Sequence, residues 1–162
     1  MAMTKPSASG EVAPPSDFAA FYRDAWPGAV RLAGLLTQDT RVAEDVAQEA
    51  FTRIYPQWSR VQNPSAYLRV AIVNACRSWA SRRHTERMKL PLVATPMSTE
   101  LAFDVLADAV AGLPYRQRAV LVLRYHAGLR EADIAEALGC RPGTVKSLTS
   151  RALAALRKGI EP

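Results

Sequence analysis

The sequence predicts an all-α protein made of two small helical domains joined by a flexible linker, and three observations carry that prediction. Apolar residues recur every three or four positions through most of the chain. No stretch shows the two-residue alternation of a strand. A proline-bearing, acidic stretch interrupts the helical periodicity between two blocks of it. With 162 residues, 49% of them apolar or aromatic, the chain has material for one ordinary domain or two small ones.

Residues 1–16 contain Pro6, Gly10, Pro14 and Pro15 with almost nothing large to bury, so they read as a disordered tail. From Asp17 the chain turns helical. Phe18, Phe21, Tyr22, Ala25 and Trp26 recur at helical spacing, and Val30, Leu32, Ala33, Leu35 and Leu36 continue the apolar surface beyond Pro27. Asp39 or Thr40 can cap a second helix, in which Val42, Ala43, Val46, Ala47, Ala50, Phe51 and Ile54 share one face. The opposite face carries an acidic stripe of Glu44, Asp45, Gln48 and Glu49, and Pro56 ends the helix.

Asn63-Pro64 opens a third helix, because Asn is a good N-cap and the first helical position has no use for the N–H that proline lacks. It runs to about Arg83, with Leu68, Ile72, Ala75 and Trp79 inward and Arg69, Arg77, Arg82 and Arg83 outward. This first domain covers 17–85. Residues 86–99, with Pro91 and Pro96, form the linker.

The second domain, 100–160, begins with a face of Leu101, Val105, Leu106, Ala109 and Val110. After the turn Gly112-Leu-Pro114, a second face of Ala119, Val120, Leu123 and Ala127 stops at Gly128. Arg130 to Lys158 then has helix-turn-helix spacing. Ile134, Ala135 and Leu138 point inward, Gly139 can take the positive φ of the turn, and Pro142 opens a last helix with Val145, Leu148, Ala152 and Leu156 inward. That leaves Thr144, Lys146, Ser147, Ser150 and Arg151 outside, side chains able to read base edges or hold phosphates.

Charge points the same way. The net charge is +6, and it is unevenly spread: residues 63–89 hold 6 basic and 1 acidic side chains, 114–162 hold 9 and 4, and the intervening 90–113 hold 0 and 3. Two basic blocks separated by an acidic stretch suit two contact points on one long polyanion. Other classes find no support. No run approaches the ~20 apolar residues of a membrane span, and the first ten residues lack the apolar core of a secretory signal, so a cytoplasmic location without membrane insertion is expected. Cys76 and Cys140 are far apart, and His84 and His126 belong to no metal-binding spacing, so neither a metal nor another cofactor is expected. Phosphate-binding glycine loops and nucleophile motifs are missing too, which argues against an enzyme.

Several motifs in order, Ala43-Glu-Asp-Val-Ala-Gln-Glu-Ala-Phe51, Asn63-Pro-Ser-Ala-Tyr-Leu-Arg69, Leu113-Pro-Tyr-Arg-Gln-Arg-Ala-Val-Leu-Val-Leu-Arg-Tyr125 and Gly143-Thr-Val-Lys-Ser147, give the chain a family likeness. Over about 17–159 it resembles a bacterial RNA polymerase sigma factor of the extracytoplasmic-function (ECF) group. The resemblance implies that the first domain is sigma region 2, the second is the helix-turn-helix of region 4, and the partners are core RNA polymerase, through its β′ and β subunits, and promoter DNA. It also implies that an anti-sigma protein can hold the factor inactive.

Carried over by that resemblance, Glu44, Asp45, Gln48 and Glu49 dock on the polymerase β′ subunit. An exposed carboxylate row on a helix suits pairing with arginines of a partner. The -10 promoter element falls to Trp58, Arg60, Gln62, Asn63, Tyr67 and Asn74, whose rings and amides can hold an unstacked base, although Trp58 and Tyr67 read equally as core residues, and to Arg77, Arg82 and Arg83, which neutralise phosphates. The -35 element falls to Arg130, Arg141, Thr144, Lys146, Ser147, Ser150 and Arg151. Two features depart from the family pattern. Arg130 and Arg141 stand where a Ser-like cap is usual, and Leu148-Thr149 replaces a common Arg-Leu, displacing the apolar contact by one position. The arginines read as kept for DNA contacts at a cost in helix stability. The alternative function is a stand-alone helix-turn-helix regulator, which would need neither an acidic docking helix nor the aromatic loop after it.

Overall fold

A computed structural model describes residues 15–87 and 105–160. The predicted tail, except Pro15 and Ser16, and the predicted linker, except residues 86–87, lie outside the described residues, as does Leu101. Every regular element among the described residues is helical.

Helix α1 spans Ser16–Thr37 without interruption, with Pro27 inside it. It ends where Gln38 takes a left-handed conformation (φ 59°) and gives its backbone N–H to the Gly34 carbonyl. Asp39, not Thr40, caps α2 (Thr40–Ile54): its Oδ1 accepts from the backbone N–H groups of Arg41 and Val42 at 3.0 and 3.2 Å. The predicted apolar face of α2 is buried apart from the half-buried Val42. A 3₁₀ turn, Tyr55–Arg60, contains Pro56 and leads to α3 (Pro64–Arg87), which Asn63 caps through its Oδ1 and the Ala66 N–H at 3.0 Å. Helix α3 therefore runs four residues beyond the predicted end.

The second half holds α4 (Val105–Ala111), α5 (Tyr115–Leu121), a π-helical turn (Val122–His126), α6 (Glu131–Leu138) and α7 (Pro142–Ile160). In α4 Val110 is buried as predicted, Ala107 is buried as well and Ala109 is exposed; the side chains of Val105 and Leu106 lie outside the described residues. Leu113, also buried, continues the i, i+3 series of Ala107 and Val110 on one side of the chain. Ala119 to Leu123 are five consecutive buried residues. A helix buried all round needs neighbours on every side, and this one has α7 on one flank and α1 on the other.

That contact joins the two halves. Helix α3 buries Leu68, Ala71 and Ile72 as well as Val73 and Cys76. Two stripes exist because α3 packs on α1 and α2 and also faces α6 of the second half. The Tyr115 hydroxyl donates to the Val73 carbonyl at 3.3 Å, and the Arg77 guanidinium donates to the Leu138 carbonyl at 3.0 Å. Trp79, expected inward, is only half-buried. It borders a second cavity between the halves, and the Arg83 guanidinium lies 5.2 Å from its ring centre.

Candidate nucleic-acid and partner interfaces

The acidic stripe follows from the amphipathic pattern of α2. With Ala43, Val46, Ala47, Ala50 and Phe51 inward, Glu44, Asp45, Gln48 and Glu49 are all exposed. Gln48 Oε1 accepts from the Tyr22 hydroxyl at 3.1 Å, and Glu49 pairs with Arg53 one turn on at 2.5 Å. Among the described residues, no ion pair engages Glu44 or Asp45. Those two carboxylates are the ones ready to meet an incoming cation.

The loop and helix expected at the -10 element divide into three groups. Arg60, Gln62, Asn63 and Tyr67 line one groove of about 740 Å³. Gln57 also lines it and donates to the Tyr67 hydroxyl, so the tyrosine ring is held by its neighbour on the preceding turn. Trp58 stands apart: its Nε1–H donates to Asp17 Oδ2 at 2.9 Å, and its ring centre lies 5.2 and 5.1 Å from those of Phe18 and Phe21. This bond also holds the Asp17 carboxyl below its ordinary range. In this arrangement Trp58 is half-buried and braces α1. Asn74 and Arg77 lie farther along α3, Arg77 being engaged with Leu138, and exposed Arg82 and half-buried Arg83 follow on its last turns.

The groove is completed from the other half. Leu129, Asp133, Glu136 and Ala137 form its opposite wall, and Arg69 and Val70 of α3 form part of the near one. Sequence reading leaves Gln57, Arg69, Asp133 and Glu136 out of the site. For Gln57 and Arg69 the available signal is adjacency: each lies one turn or less from residues that are in it. For Asp133 and Glu136 no local signal exists, since they arrive through tertiary packing.

The helix-turn-helix is built as its pattern dictates. Gly139 takes φ 60°, and its backbone N–H and that of Cys140 return to the Glu136 and Ala135 carbonyls. Val145 and Ala152 are fully buried, which orients α7 so that Arg141, Thr144, Lys146, Ser147, Ser150 and Arg151 are all exposed on the turn and the outer side of the helix. Arg130, also exposed, precedes α6 and supplies no side-chain cap. Glu131 and Asp133 in the first turn of α6 place negative charge at its N-terminus instead. Lys146 Nζ lies 3.9 Å from Glu131 Oε1. The Leu148-Thr149 departure resolves differently from a simple displacement: Thr149 itself is buried, its hydroxyl returned to the Val145 carbonyl at 2.8 Å, and Leu148 is half-buried beside it.

Where the halves meet, burial shifts three titrations. Cys76, beside Tyr115 and Arg118, has its thiol pushed up to about 12, and the Tyr115 phenol is raised by burial as well. His126 is lowered by burial and by the positive charge of Arg31 on α1. Among the described residues no cluster of His, Cys, Asp and Glu is fit to hold a metal ion, and no helix is long and apolar enough to cross a membrane.

Comparison with known proteins supplies a family for this geometry. Residues 21–86 match the model for sigma-70 region 2, and residues 103–156 match that for sigma-70, region 4. The RNA polymerase sigma-E factor of Streptomyces avermitilis is 35% identical over 162 aligned positions, covering 95% of this chain and 89% of the relative. The ECF RNA polymerase sigma factor SigL of Mycobacterium tuberculosis is 32% identical, covering 82% of this chain and 80% of the relative. Among solved structures, the sigma factor RpoE of Bartonella quintana, crystallised with the anti-sigma factor NepR, superposes with a TM-score of 0.71 over 91% of this chain and 100% of that one, at 23% identity. That likeness is one of fold.

Proposed function

The chain belongs to the ECF RNA polymerase sigma factors, non-enzymatic proteins of transcription initiation, and from that premise we propose which of its residues make each contact. Region 2 spans 17–85 and region 4 spans 100–160. Glu44, Asp45, Gln48 and Glu49 dock on core polymerase, with Glu44 and Asp45 forming the primary pairs to basic residues of the β′ subunit. Arg60, Gln62, Asn63 and Tyr67 receive the unstacked base of the -10 element. Arg77, Arg82 and Arg83 hold its phosphates, and Trp58 and Asn74 support that surface. Arg130 and Arg141 contact the backbone of the -35 element, while Thr144, Lys146, Ser147, Ser150 and Arg151 face its major groove. The protein acts in the cytoplasm, where polymerase and chromosome are, and an anti-sigma protein is its antagonist.

The observation that supports this reading most is the division of α7. Val145 and Ala152 are fully buried while the polar series around them is exposed, so one rigid helix presents base-reading side chains as a set. Run-off transcription on a genomic fragment library, with core polymerase and with or without the protein, tests it. New start sites that require the protein, and that vanish in the Thr144→Ala/Lys146→Ala variant, are expected. Start sites unchanged by the protein would refute it.

A further inference from the structure

The second cavity between the halves, of about 520 Å³, shares no lining residue with the groove of Arg60 and Tyr67. It opens where the end of α1, the last turns of α3 and the turn between α4 and α5 converge. We propose that this cavity is a binding site for a nucleoside polyphosphate, with the phosphates held by Arg83 and Arg118 and the base laid against Trp79. The inference rests on the residues of the seam and not on the promoter assignments.

Charge is the first argument. Arg83, His84 and Arg118 line the cavity, and among the described residues no carboxylate does. The other groove is balanced, since Asp133 and Glu136 stand on its walls along with Arg60 and Arg69. No ion pair among the described residues engages Arg83 or His84. Arg83 and Arg118 are both half-buried, and a cation partly withdrawn from water favours an anion beside it. The Arg118 guanidinium is fixed on the wall by its 3.1 Å donation to the Leu113 carbonyl, and its charge is felt inside the seam, where it opposes the upward pull of burial on Cys76 and Tyr115. Planar guanidinium forks match phosphate oxygens two at a time. The second argument is the ring. Trp79 is half-buried on the same wall, and the Arg83 guanidinium lies 5.2 Å from its ring centre. A flat aromatic surface next to a cation suits a ligand that carries both a stacking base and an anion. The volume falls within the ~300–1,000 Å³ of small-molecule sites, so a single nucleotide fits the space.

The test uses the full chain free of polymerase and DNA, so its outcome leaves the promoter assignments untouched. Equilibrium dialysis with radiolabelled ATP and, separately, GTP reads affinity at fixed ionic strength, with tripolyphosphate and the nucleoside as competitors. The better of the two nucleotides is expected to bind saturably, at least tenfold more tightly than tripolyphosphate, with the nucleoside weaker still, and to raise the melting temperature as its concentration rises. Arg83→Gln is expected to weaken that binding at least fivefold, and Trp79→Leu to bring the nucleotide down to the affinity of tripolyphosphate. The control Arg116→Gln, which removes the same charge from an exposed position on α5 outside the cavity, is expected to change binding by less than twofold. Arg83→Lys keeps the charge and loses the planar fork; it is expected to weaken binding about threefold, and it reports on the site even if the glutamine variant folds poorly. No saturable binding of either nucleotide, tripolyphosphate as tight as the nucleotide, or equal losses in Arg83→Gln and Arg116→Gln would overturn the proposal.

Discussion

Trp58 and Asp17 are joined by a 2.9 Å hydrogen bond from the indole N–H to carboxylate Oδ2, which ties the turn after α2 to the first turn of α1. Because that bond lowers the Asp17 pKa in the folded chain, its contribution is complete above the ordinary value of 3.8 and is lost as pH falls through the folded value. Asp17→Asn is therefore expected to melt below wild type at pH 7, with the gap narrowing below about pH 3.8. Circular dichroism melts at several pH values check it; a gap of constant size would contradict it.

His126 gives a second pH signature of the same sign, at higher pH and from a different cause. Burial and Arg31 hold it below its ordinary 6.5 in the folded chain, so the neutral ring is the folded form. Stability is then full above about pH 6.5 and declines as pH falls below it, because the unfolded chain binds the proton first. His126→Gln is expected to flatten the stability curve between pH 7 and the folded value. Urea titrations across that interval provide the measurement.

Leu123 is fully buried in the π-helical turn, which packs on both α1 and α6. Truncating it to Ala removes packing from both halves at once, and a loss of about 2–5 kcal/mol is expected in urea unfolding. The exposed Tyr125, two residues on, is expected to tolerate Ala within about 0.5 kcal/mol.

Helix α2 was legible because its apolar residues face a single direction, and every predicted inward residue there is at least half-buried. The turn at Gly139 and the outward set on α7 were legible for the same local reason. What was not legible came from packing between the halves. Val73 and Cys76 look like surplus apolar residues on α3 until region 4 is placed against them, and Ala107 is buried in line with Val110 and Leu113 while Ala109 is not. Trp58 could be read equally as ligand or core; only the fold brings Asp17 and Phe18 to it. Asp133 and Glu136 carry no pattern that would assign them to a groove formed mainly by residues some seventy positions earlier.

Arg130 and Arg141 begin the helices of the DNA-binding unit without capping them. Replacing each with Ser is expected to raise stability by about 1 kcal/mol, the usual value of a cap. Affinity for promoter duplex should fall, and the dependence of affinity on salt should become shallower by about one unit for each phosphate that is no longer neutralised. Tighter binding with an unchanged salt slope would show that the arginines do not touch DNA.

Glu44 and Asp45 are exposed and engage no cation among the described residues, so their reversal should not disturb the fold. Glu44→Lys/Asp45→Lys is expected to melt close to wild type while weakening association with core polymerase at least tenfold, since like charges would then face each other across the interface. Analytical gel filtration with increasing salt separates the two effects.

The claim that everything else depends on is that this protein works only as a subunit of polymerase. The most direct measurement is quantitative run-off transcription from a single promoter found in the genomic library, with core polymerase and wild-type protein or Glu44→Lys/Asp45→Lys. Transcripts that rise with wild-type protein to saturation and are absent with the reversed pair are the predicted result. Equal transcription with both proteins, or with neither added, would contradict the account.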